Sequence, residues 1–325
     1  MSVSIKSSTN VSRRQLWLYA LPALPLALPT LALYINLPTW YHEQWGLPLG
    51  LIAVIVFGAR VSDLLLDPLV GQWSDRLTGK QQKTLVTLGS LICIPTALIL
   101  VHPFASLPGW SLTIGLVGLY FGWTLIQIPY LSWLVGIAPD SNTRLTLAST
   151  REMFGLVGLL LSALIPALLI YAGASASTSI QAIVWFALAM GAITIPLMLK
   201  TLTLQNHQVA ATSTGLGFIL RRNKPARQLV TSWFLNGLAN GIPAVIFPLY
   251  ITEVLGLDDS NRAYFMAAYF MACIGAIPLW LKLSQNTDRL TLWRYAMFIC
   301  AIVFVPATLL SPANAYLFMP ICLVT

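Results

Sequence analysis

Arg60, Asp63 and Asp67 interrupt an otherwise apolar, membrane-length run, LIAVIVFGARVSDLLLDPLVG. At about 100° per residue, these helical offsets bring the three side chains within about 60° of one another. An ionisable side chain at the centre of a bilayer costs roughly 2.5–3.5 kcal/mol on insertion scales, and three on one stripe do not persist against lipid. The stripe must therefore face protein or water. Two carboxylates one turn apart can ligate Na⁺ or Li⁺ as hard oxygen donors, or share a proton because adjacent negative charges disfavour each other. Arg60, one turn earlier, would keep the empty site near neutral. The competing explanation is an internal salt-bridge patch that locks this helix to a neighbour and carries no ion. Intramembrane charges are seldom kept for packing alone, so ion or proton handling is the expectation.

Composition explains why that run reads as a membrane span. Of 325 residues, 57% are hydrophobic and 9% charged, whereas a soluble domain carries about 25% charged residues. Nine segments, about 16–36, 49–71, 84–103, 110–134, 153–172, 180–199, 229–251, 263–282 and 291–310, are long enough to cross the hydrocarbon. A tenth begins near Ala313 and stops in mid-span at Thr325. The chain is expected to be an all-α polytopic membrane protein.

A net charge of +8 is of the sign that nucleic acid attracts, but its placement argues for topology. Connections after odd-numbered spans are poor in cations: Glu43 stands alone in the first, and Glu253, Asp258 and Asp259 outnumber Arg262 in the seventh. Lys6, Arg13, Arg14, Arg76, Lys80, Lys83, Arg144, Arg151, Lys200, Arg221, Arg222, Lys224, Arg227, Lys282 and Arg289 gather at the N-terminus and in the even connections. That is the positive-inside pattern, with the N-terminus cytoplasmic. No nucleic-acid partner is expected. Cys93, Cys273, Cys300 and Cys322 fall inside spans without metal-ligand spacing and read as small buried hydrophobes. His42, His102 and His207 are likewise scattered. Residues 1–15 are polar and no cleavable signal peptide is evident.

One connection is long. Residues 201–228 are polar and end in a basic cluster after six spans. The chain thus divides into a cytoplasmic tail (1–15), an N-terminal six-helix bundle (16–200), a cytoplasmic linker (201–228) and an incomplete C-terminal bundle (229–325). This suggests a duplicated 6+6 transporter with its substrate site between the halves, of which nine to ten helices are present. The first span places Pro22, Pro25 and Pro29 in one helix. Each proline removes a backbone hydrogen bond, which favours a cavity-lining helix over a lipid-facing one.

The acidic stripe runs into GQWSDRLTGK, where Gly71, Asp75 and Arg76 sit at the cytoplasmic end of the second span. A glycine there lets helices approach closely, and an aspartate at a helix end can pair with an arginine as a breakable latch. An ordinary polar turn is the plainer explanation. The segment is similar to the loop 2–3 signature of the major facilitator superfamily, G-x-x-x-D-R-x-G-R/K, with one extra residue before Gly79.

Taken whole, RVSDLLLDPLVGQWSDR resembles helix 2 of the glycoside–pentoside–hexuronide:cation symporters, the melibiose-carrier-like branch of that superfamily. IPYLSWLVGIAPD with TRLTLASTREMFGLVG, FLNGLANGIPAVIFPLYITEVLG and IGAIPLWLKLS resemble other helices of the same family. The resemblance implies that Asp63 and Asp67 ligate the cation, that Asp75, Arg76 and Arg144 belong to a cytoplasmic gate, and that Arg151 reaches a sugar. An interfacial snorkelling anchor is the other account of Arg151. Melibiose-type members read the sugar with acids on helices 1 and 4. Here helix 1 has none and Gln127 occupies the helix 4 position, so a polar ligand suits the site but galactoside specificity does not carry over. Trp123 and Tyr130 would stack on a sugar or simply pack. Asn236 and Asn240 would touch substrate or join helices.

These features lead us to expect a secondary active transporter, not an enzyme. It would couple Na⁺ or H⁺ to a sugar-like solute by alternating access, with no cofactor and no resident metal. A monomer in the plasma membrane (the inner membrane in a bacterium), in contact with lipid, is the expected setting. A facilitator or exporter of a non-sugar solute has the same fold, and an inactive truncated transporter is a further alternative. An intramembrane prenyltransferase needs a second carboxylate cluster for Mg²⁺–diphosphate, and Phe154 to Ile251 contains no Asp or Glu.

Overall fold

The computed structural model describes residues 12–31, 33, 36–138, 140–202, 221–257 and 259–324. The tail before Ser12 and residues 203–220 of the linker, with Lys6 and His207, lie outside them. Every regular element described is helical. The long helices are α4 (Leu49–Asp75), α5 (Gly79–Val101), α6 (Pro108–Ile137), α7 (Ser141–Tyr171), α8 (Ala176–Thr201), α9 (Lys224–Leu249), α10 (Asp259–Asn286) and α11 (Arg289–Phe304). They follow α1 (Arg13–Ala20), α2 (Ala23–Leu31) and α3 (Leu37–Trp45), and precede a final α12 (Phe318–Val324).

Among the described residues, seven helices are long and apolar enough to cross a membrane, against the nine spans expected. The first expected span is not one helix. Pro22 cannot donate to the turn before it, so the chain breaks between α1 and α2, and Pro29 lies inside α2. The other expected span not among the seven contains α9, which is 26 residues long; the side chains of residues 240–245 in it lie outside those described. Starts are set by side-chain caps: Thr78 with Gln81 at α5, Ser175 at α8, Asn223 at α9 and Asp288 at α11. Gly46, with φ 65°, ends α3 in a left-handed turn.

By contacts the chain divides into two units, residues 1–208 with 273–286, and residues 209–272 with 287–325. In the first, α6 packs against both α5 and α4, while α2 packs against α7 and α8. Without a hydrophobic drive between helices in lipid, small residues decide how closely they pack. A Cβ on Gly89 would lie 2.6 Å from the Gly122 carbonyl oxygen, and one on Gly122 2.7 Å from Cys93 Sγ. Gly158 of α7 meets the Leu24 carbonyl of α2 in the same way, at 2.5 Å. Gly71 does not: nothing lies within 4 Å of its Cβ position. The close approach expected there is made by α5 and α6 instead.

Polar side chains tie these helices at both ends. Tyr41 donates to the Leu100 carbonyl at 3.0 Å, and Gln181 to the Val101 carbonyl at 3.2 Å. Toward the other end, Trp133 donates to Gln82 at 2.7 Å, and Gln82 to the Ser74 carbonyl at 3.0 Å. In the second unit, Ile251, Phe265, Ala307 and Phe318 form a buried cluster. It is closed by a Tyr250 hydroxyl bond to the Ala307 carbonyl at 2.5 Å.

The glycine contacts give a direct test. Gly122→Ala is expected to destabilise the detergent-solubilised protein by about 1–3 kcal/mol, the usual cost of overpacking. Gly71→Ala should be neutral or stabilising by up to about 1 kcal/mol, since a helix interior favours alanine. Thermal melts of the two variants beside the parent check both.

Candidate functional site

The acidic stripe of α4 meets a matching stripe on α6. Tyr120, Thr124 and Gln127 recur at i, i+4 and i+7, and so share a helix face. Thr124 is buried, 2% exposed, and its hydroxyl lies 3.2 Å from Asp63 Oδ1 and 2.9 Å from Asp67 Oδ1. One hydroxyl thus bridges both carboxylates. One turn toward the N-terminus of each helix, the Arg60 guanidinium stands 4.5 Å from the Tyr120 ring centroid, and its nitrogen is 3.9 Å from Asp63 Oδ2. The two helices run parallel here, residue 60 beside 120, and 63 and 67 beside 124. Asp63 is half-buried and Asp67 exposed.

Three oxygen-bearing side chains converge, their acceptors are anionic, and the hydroxyl can turn from donating to a carboxylate to presenting its own lone pair. It can equally hold a proton between the carboxylates. Thr124 is absent from the residues singled out by sequence. Its signal was the 120–124–127 stripe, which gains meaning only once α6 is known to lie against α4.

The remaining expected residues separate into groups. Tyr130 is 1% exposed and exchanges hydrogen bonds with Tyr19: its hydroxyl donates to the Tyr19 carbonyl at 2.5 Å, and the Tyr19 hydroxyl donates to the Tyr130 carbonyl at 3.1 Å. With ring centroids 4.9 Å apart, it is a clamp between α1 and α6 and has no free face for a sugar. Arg151 stands 5.8 Å from the Tyr130 ring centroid and pairs with Glu152, which ties it to that clamp. Trp123 and Gln127 are half-buried on α6. Asp75 ends α4 and Arg76 caps it, both exposed, while Arg144 lies half-buried in the first turn of α7. Asn236 is half-buried in α9 and its Oδ1 is buried without a hydrogen-bond partner among the described residues. The side chain of Asn240 lies outside those described.

Residues 18–325 match the family model described as MFS/sugar transport protein. The chain belongs to that family. It is therefore a multi-pass membrane transporter of the major facilitator superfamily, and the all-helical architecture is consistent with that. No curated protein matches this MFS chain in sequence. Among solved structures it is similar to the crystal structure of a bacterial homologue of the iron transporter ferroportin in an outward-facing state, with TM-score 0.68 and 16% identity over 96% of this chain and 80% of that one. At that identity the likeness concerns the fold.

The loop that leads into the Arg144 and Arg151 helix carries a pH-dependent cap. Asp140 accepts from the backbone N–H groups of Asn142 and Thr143, at 3.1 and 2.8 Å. Hydrogen bonds from Thr143 hold its carboxyl below the ordinary value of 3.8. A carboxylate with a depressed folded pKa stabilises above the unfolded value and loses that contribution as pH falls through the folded one. Asp140→Ala should therefore melt at a lower temperature than the parent at neutral pH. The gap should close as the pH drops below the range near 3.8, which melts across a pH series would reveal.

Proposed function

We propose that this MFS transporter is a cation-coupled symporter of a sugar or glycoside-like solute, with Asp63, Asp67 and Thr124 as the coupling-ion site. The observation that supports this most is the single Thr124 hydroxyl shared by both carboxylates across α4 and α6. Packing alone calls for no such convergence of acids inside a span, where each must be balanced by an ion, a proton or Arg60. Cation binding raises solute affinity by a coupling free energy that is reciprocal between the two ligands. The loaded carrier then exchanges access, and return of the empty carrier is eased by Arg60 neutralising Asp63.

The solute reading rests on the family description and on Gln127, which shares the Thr124 face of α6, with Arg151 and Asn236 as further polar candidates; Trp123 faces another side of α6. Asp75, Arg76 and Arg144 serve as the gate at the cytoplasmic side, and the N-terminus is cytoplasmic. The cargo named for the ferroportin homologue is not carried over. Among the described residues no three His, Cys, Asp or Glu side chains gather as a metal-holding group.

Uptake and counterflow in proteoliposomes test the assignment. Stimulation by Na⁺ or by an inward proton gradient is expected in the parent chain. It should be lost in Asp67→Asn, and Thr124→Ala should raise the half-saturating cation concentration about tenfold or more, the scale of one lost charge-assisted hydrogen bond. Undiminished cation-stimulated uptake in a folded Asp67→Asn protein would sink the site.

A further inference from the structure

Within the first unit, α2, α5, α6 and α8 line a half-open cavity of about 450 Å³. Its origin is legible in the chain. Pro25 and Pro29 of α2 and Pro196 of α8 line it, and a proline inside a helix interrupts the backbone ladder and its regular packing. Ala97, Ala187, Gly191 and Ala192 then leave the wall thin of side chains. Along α8 the lining runs from Val184 to Lys200, a rise of about 24 Å, so the space is a long slot.

The slot has no polar face for a sugar. Thr87 donates to the Lys83 carbonyl at 2.9 Å, Ser90 to the Val86 carbonyl at 2.8 Å, and Cys93 to the Leu119 carbonyl at 3.9 Å. The hydroxyls are thus turned back on their own helix. Trp123 lines the slot while its neighbour Thr124 points to α4, which places slot and acidic site on different sides of α6. At one end the character changes. Lys200 is the charged residue of the lining. Beside it, the Lys83 ammonium sits 2.6 Å from the carbonyl oxygens of both Leu199 and Leu202.

We propose that this slot seats one acyl chain of an anionic phospholipid, with the headgroup phosphate at Lys200 and Lys83. Apolar length joined to a cationic end is the complement of such a lipid, and basic pockets between transmembrane helices hold anionic headgroups in this way. Lipid tails are as apolar as the side chains they meet. Filling the void thus supplies close contacts along the chain, and the two ammonium groups supply the selection among headgroups.

Native mass spectrometry of the delipidated full chain, with phosphatidylglycerol, phosphatidylcholine of the same acyl chains, and oleate added separately, tests this. One phosphatidylglycerol per protein should be retained at least about fivefold better than phosphatidylcholine, the scale of one surface cation. Lys200→Gln should narrow that preference about fivefold. Gly191→Leu and Ala192→Leu, which fill the slot, should lose the lipid while melting no lower than the parent without added lipid. Equal retention of the two phospholipids, preference for oleate over phosphatidylglycerol, or unchanged binding in both filled variants would overturn the proposal.

Discussion

The interaction on which the rest depends is the bridge from the Thr124 hydroxyl to Asp63 and Asp67. A carboxylate inside a span is tolerated only where something replaces water around it, and two on one stripe double the demand. The bridge meets part of it from α6, and Arg60 meets another part from α4 itself, with its guanidinium held over Tyr120. What remains unmet is the capacity to bind a cation or proton. A polar pair fully satisfied by protein would be a staple. This one has an exposed Asp67 and so keeps ligand capacity.

The fold serves that juncture by fixing α6. On one side α6 is pressed against α5, with backbone nearly touching backbone at Gly89 and Gly122. On another it is clamped to α1 by the reciprocal Tyr19–Tyr130 bonds. Trp133 reaches Gln82, which reaches Ser74 at the end of α4. The register between α4 and α6, and with it the position of Thr124 between two acids, follows from those contacts. The prolines that line the slot, Pro25, Pro29 and Pro196, belong to α2 and α8 and not to the acidic stripe.

The chain announced its spans through hydrophobicity and its acidic stripe through the expense of placing charge there. Both signals are local; seven of the nine expected spans and the stripe are found among the described residues. Three readings that depended on partners fared differently. Thr124 carries no mark of its own among the hydroxyls of the spans. Tyr130 has the chemistry of a sugar platform but is consumed by Tyr19, more than a hundred residues earlier. Gly71 has the residue type for close helix contact, but among the described residues no atom lies within 4 Å of its Cβ position. The broken first span was legible as three prolines, yet where the helix would part, between α1 and α2, depended on which carbonyls found other donors.

Infrared difference spectroscopy on the reconstituted protein addresses the acidic site without requiring the solute. Adding Na⁺, or lowering the pH, should produce a carboxylate difference band in the parent chain. That band should be absent when Asp63 and Asp67 are both replaced by asparagine, and shifted in Thr124→Ala. A band of the same size and position in the doubly substituted, folded protein would contradict the coupling-ion site.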